Sequence, residues 1–119
     1  MKAFHAGALA FVLLVLSGLA RADDTSERAR AAFLEGTALV EKAQWAEALA
    51  AFERARALRA HAITTFNMGA CERAMGHYAR ARGLYAEALD HAGEGAARKL
   101  PDNLAREARA LLGEIDRLR

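Results

Sequence analysis

The sequence predicts an all-α protein, and three observations carry that prediction. Apolar residues recur at helical spacing, no alternating run is long enough to compete as a strand, and one helical skeleton occurs twice. The segment QWAEALAAFERARA at residues 44–57 returns as HYARARGLYAEALD at residues 77–90. Tyr78 answers Trp45, Ala81 answers Ala48, Tyr85 answers Phe52 and Ala88 answers Ala55, always 33 residues on. A fixed offset of this size is the mark of a repeated structural unit.

The chain opens on a leader. Lys2 supplies a positive start, Ala8 to Ala20 is an apolar run, and Ala20-Arg21-Ala22 has the small-x-small form of a signal-peptidase site. Residues 1–22 are therefore expected to be a signal peptide cleaved after Ala22, leaving one domain at residues 23–119. A retained anchor is the alternative, but the run is shorter than the roughly 20 residues that span a bilayer. Lipid anchoring is not expected, since Leu19 stands where an acylated cysteine would be needed.

Five helices follow in order. Asp24 with Glu27 three residues later reads as a cap and reciprocal acid, opening a helix over residues 25–42 with an apolar face of Ala32, Phe33, Gly36, Leu39 and Val40. After a short turn, residues 45–58 carry Trp45, Ala48, Leu49, Phe52 and Ala55 on one face, and residues 62–74 carry Phe66, Met68, Gly69 and Cys71, with Met75 just beyond. A Met-Gly-His-Tyr turn leads to residues 78–91, with Tyr78, Ala81, Tyr85, Ala88 and Leu89 at helical spacing. The segment from Ala92 to Lys99 is a polar, Gly-containing linker, and Pro101-Asp102 opens the last helix, over residues 102–118. Its stripe is Leu104, Ala108, Leu111, Leu112, Ile115 and Leu118. Small residues at Gly36, Ala48 and Ala55, and again at Gly69, Ala81 and Ala88, let backbones approach, while Phe52 and Tyr85 fill the space between.

Charge and chemistry exclude several functions. Removing Lys2 and Arg21 brings the 17 basic residues level with the 15 acidic ones, so the mature domain is formally neutral and offers no electrostatic footprint for nucleic acid. Once the leader is cleaved, no stable membrane insertion is expected. Cys71 is the one cysteine and cannot form an internal disulfide; its simplest role is that of a small buried apolar residue. Cys71 and His77 together fall short of the three or four ligands of a zinc site. His61, His77 and His91 all lie near helix ends, where a solvated histidine is the default. No nucleophile–base grouping, metal-ligand spacing or phosphate loop emerges, so no cofactor, metal or catalytic residue is expected.

At these residues the chain resembles the tetratricopeptide repeat (TPR) family, whose signature is a Gly on the first helix and an Ala-x-x-x-aromatic step on the second. Gly36 with Ala48 and Phe52 matches once, and Gly69 with Ala81 and Tyr85 matches again. Ala55 and Ala88 supply the next small residue, Trp45 and Tyr78 the opening aromatic, and Gly76 the turn glycine, for which the first repeat has Ala43. The chain departs from the family pattern at Ala32 and Thr65, where Trp is often found, at Glu35, Leu39 and Glu72, and in lacking a closing proline. The arrangement also looks like small exported TPR proteins of Gram-negative bacteria.

The resemblance implies a TPR-like α-solenoid of two helix-turn-helix repeats, at about residues 29–60 and 62–91, plus a C-terminal capping helix at about 102–118. It further implies a non-catalytic protein-interaction scaffold of the cell envelope, periplasmic or secreted, with a peptide or helix bound in a concave groove. That groove would present Arg30, Phe33, Thr37 and Glu41 from the first repeat and Phe66, Asn67, Ala70, Arg73 and Ala74 from the second. Phe33 and Phe66 would be apolar anchors or, equally, core. Arg30 and Arg73 would form a charged rim or remain solvated. Asn67 resembles an asparagine that cochaperone TPR domains use to hold a C-terminal carboxylate, but Phe33 and Thr37 stand where such a clamp needs Lys and Asn, so no clamp is expected. The rival reading is a structural subunit that forms a homodimer through its C-terminal helix.

Overall fold

The computed structural model describes residues 23–90 and 99–118. The predicted signal peptide, its cleavage point, His91 and the linker up to Arg98 lie outside the described residues. Among the described residues the fold is all-helical, with no strand. Residues 23–41 are helical and form α1; α2 is Trp45–Leu58, α3 Ala62–Ala74, α4 Tyr78–Leu89 and α5 Asp102–Arg117. Asp24 is already inside α1, which corrects its reading as a cap. Two acids three residues apart mark a capping box, but the same spacing also places them together on a solvated helix face, and both Asp24 and Glu27 are exposed.

The two inner turns are built alike. Gln44 N–H donates to Leu39 O at 3.0 Å and Ala43 N–H to Val40 O at 2.9 Å; His77 N–H donates to Glu72 O and Gly76 N–H to Arg73 O, both at 2.9 Å. This pair of bonds is a Schellman closure, which places its penultimate residue in the left-handed region. Gly76 sits there at φ 81°, and Ala43 is held there at φ 55° in spite of its Cβ.

Packing follows the doubled pattern. Phe33 and Phe52 meet with ring centroids 5.6 Å apart and planes tilted by 59°; Phe66 and Tyr85, 33 residues on, meet at 5.4 Å and 60°. The rings of Phe52 and Tyr85 lie over Gly36 and Gly69, the close approach that the small residues permit. Ala48, Ala55, Ala81 and Ala88 are all buried.

Each helix pair needs the next helix to complete its core. Met68 and Cys71 of α3 join Ala48 and Phe52 in the first buried cluster, with Leu84 packed against it. Ala108 and Ile115 of α5 join Phe66, Ala81, Tyr85 and Ala88 in the second, with Leu100, Leu104, Leu111 and Leu112 packed against it. Met68 and Cys71 are three residues apart, as are Leu112 and Ile115, so α5 serves the second pair as α3 serves the first. Arg73–Glu114 at 3.1 Å and Arg82–Asp116 at 2.8 Å tie α5 to α3 and α4. Such half-exposed pairs add little energy and chiefly fix orientation. The opposite side of α5 carries Arg106 and Arg109, both exposed.

Candidate functional site

The expected groove is only partly open. Of its residues, Arg30 and Phe33 line a cleft of about 410 Å³ between α1, the end of α2 and the start of α3. Its other lining residues are Ser26, Glu27, Ala29, Ala55, Arg59, His61, Ile63 and Thr64. Thr37 and Glu41 are exposed further along α1, and the Thr37 hydroxyl donates to Phe33 O at 3.0 Å. Asn67 and Ala70 are half-buried, Ala74 is exposed, and Arg73 is held by Glu114.

Phe66 is not an open anchor. It is 7% exposed, lies against Tyr85 and belongs to the cluster that α5 completes. Leu100 and Leu104 pack on that second cluster and help close it. Phe33, at the matching position of the first pair, remains half-buried and borders the cleft.

Two features hold the cleft's wall in shape. Arg59, the C-cap of α2, donates from its backbone N–H to Ala55 O at 2.9 Å and from its guanidinium to Ser26 Oγ at 3.1 Å. His61, the N-cap of α3, accepts from Ile63 N–H through Nδ1 at 3.1 Å, satisfying one of the amides left free at a helix start. Among the described residues, exposed Arg30 has no carboxylate at ion-pair distance, and neither has Arg59. Sequence reasoning missed Arg59, His61 and Ile63. Ile63 was recoverable, because it stands 33 residues after Arg30, whereas Arg59 and His61 lie in the connection between pairs, where the pattern assigns no role.

Trp45 is half-buried against the first cluster, but Tyr78, its counterpart, is 43% exposed. Tyr78 borders a shallow hollow with Ile115 and Leu118, and Leu118 is itself 66% exposed. α5 ends at Arg117, so nothing among the described residues covers the ring as the second pair covers Trp45.

Two titratable groups depart from a simple solvated reading. Glu72 is buried; His77 Nδ1 lies 2.9 Å from its Oε2, and the Arg80 guanidinium lies 3.7 Å from the same oxygen. The buried carboxylate thus has partners, as burial of a charge requires. His77 is exposed, as expected of a histidine at a helix end, and its ring also contacts Glu72 across the α3–α4 turn. The neighbouring Cys71 is fully buried, and burial, followed by the nearby Glu72 charge, pushes its thiol up to about 11. A thiol held in its protonated form is a poor nucleophile and metal ligand.

Among the described residues no helix is long and apolar enough to cross a membrane. No protein-family model, curated protein or solved structure matches this chain.

Proposed function

We propose that this chain is a non-catalytic interaction scaffold of TPR type, exported to the cell envelope, which binds a peptide or helix along the face shared by α1 and α3. The observation that carries the reading is the open cleft beside Phe33. In a chain whose two helix pairs repeat the same glycine–aromatic packing, one matching phenylalanine is sealed and the other borders about 410 Å³ of accessible space. A concave, mainly apolar site with a few polar groups at its edge suits an inserted side chain. The leader at residues 1–22 supports export, and the neutral mature charge argues against nucleic acid as the partner.

Self-association through the last helix is the weaker reading. All of the stripe that would mediate it except Leu118 is engaged with the second helix pair, and Arg106 and Arg109 are exposed on the side turned away. A photoreactive residue at position 63 tests the proposal in the intact envelope. Crosslinking to a discrete partner from position 63, and not from position 109, is the expected result; equal labelling from both positions would refute a groove-specific interaction.

A further inference from the structure

We infer that the cleft beside Phe33 selects an acidic ligand: a peptide whose apolar side chain enters between Phe33 and Ile63 while a flanking carboxylate pairs with Arg30 and Arg59. This inference rests on the groove reading above and adds the chemistry of its occupant. Charge complementarity carries it. Arg54, Arg56, Arg73, Arg80 and Arg82 each have a carboxylate of this chain at ion-pair distance. Among the described residues Arg30 and Arg59 have none, as is also true of Arg28, Arg106, Arg109 and Arg117; what sets Arg30 and Arg59 apart is that both line the apolar cleft, where the Arg59 guanidinium meets the neutral Ser26 hydroxyl. Glu27 is the single acidic residue in the lining among the described residues, so the two arginines outnumber it.

The positions matter as much as the count. Arg30 rises from α1 and Arg59 from the end of α2, so they stand on different walls of the same apolar space. The Ser26 bond fixes the orientation of Arg59 before any ligand arrives. A guanidinium presented in this way can receive a carboxylate through two parallel N–H donors. A basic ligand would meet two like charges at the mouth, which disfavours it.

Two synthetic peptides with the same Leu-Phe centre, one flanked by Glu and the other by Lys, are titrated against the purified protein by fluorescence anisotropy. The Glu-flanked peptide is expected to bind about tenfold or more tightly than the Lys-flanked one, with affinity falling as salt rises. Reversing both charges, in Arg30→Glu with Arg59→Glu, is expected to invert the preference, and Arg109→Glu on α5 to leave it unchanged. Circular dichroism confirms that the variants fold. Equal affinity for the two peptides, abolished by Ile63→Glu, would overturn the charge selection and leave the groove standing. Binding of neither peptide would overturn both readings.

Discussion

The ring of Phe52 lies so close over Gly36 that a methyl group on that glycine would stand 2.6 Å from ring Cε1. Tyr85 lies over Gly69 in the same way, but there the nearest approach would be 3.0 Å. The difference sets an order of tolerance. Alanine favours a helix over glycine by about 0.5–1 kcal/mol, while overpacking a core contact costs about 1–3 kcal/mol. Phe52 is buried and has little room to move. Gly36→Ala is therefore expected to lower stability by about 2 kcal/mol net, and Gly69→Ala by less. Chemical denaturation of both variants checks the order; equal midpoints would mean that the first ring yields as easily as the second.

The two turns give the opposite sign for a glycine change. Ala43 occupies the left-handed region that Gly76 occupies in the second turn, and an L-residue pays about 1–2 kcal/mol there. Ala43→Gly is expected to stabilise by about 0.5–1 kcal/mol, after allowing for the added freedom of the unfolded chain. Gly76→Ala, with nothing within 4 Å of the added methyl, is expected to destabilise by about 1 kcal/mol from backbone conformation alone. Thermal melts of the two variants moving in the same direction would contradict the shared turn geometry.

Gly83 lies in the middle of α4, is exposed, and has nothing within 4 Å of the position a Cβ would take. No close packing requires glycine at this point. Gly83→Ala is expected to raise stability by about 0.5–1 kcal/mol through helix propensity. A loss of stability on denaturant titration would reveal a contact on that face of α4.

Removing residues 100–119 takes away Ala108, Ile115 and four of the five leucines packed on the second cluster, all but Leu89, leaving Phe66 and Tyr85 uncovered. Each large apolar side chain so lost is worth about 1.5–3 kcal/mol, against a net stability of about 5 kcal/mol at the low end for a small domain. The truncated chain is expected to lose cooperative unfolding. A truncation that still melts cooperatively and loses only self-association would identify α5 as an interface and not a cap.

Cys71 gives a signed dependence on pH. Its thiol has an ordinary value of 9.0 and is pushed up to about 11 in the fold, so between those values the unfolded chain releases a proton that the folded chain keeps. Its contribution to stability is complete below pH 9 and is lost as pH rises through 11. Tyr85, moved by burial from 10.0 to about 12, adds a second loss at higher pH. Cys71→Ala is expected to flatten the decline between pH 9 and 11, measured by denaturation at fixed temperature. An unchanged slope would show that the thiol is not the group responsible.

The sequence by itself determined the helical class, the boundaries of α2 and α3, and the kinship of the two turns. These are local properties, set by spacing along one chain segment and by the residues that can end a helix. The repeat also set Gly36 and Phe52 at positions equivalent to Gly69 and Tyr85, while the fold showed that each ring lies over its glycine. Asp24 misled because a capping box and a solvated acidic face have the same spacing. Tertiary structure alone decided which of two matching phenylalanines is open and which is sealed. Phe33 and Phe66 share a position in the pattern, but Leu100, Leu104 and α5 close around the second. Only the fold brought Arg59 and His61 from an inter-helix connection to the edge of Phe33's cleft. Burial depends on neighbours remote in sequence, and periodicity records which face a residue shares without recording what covers that face.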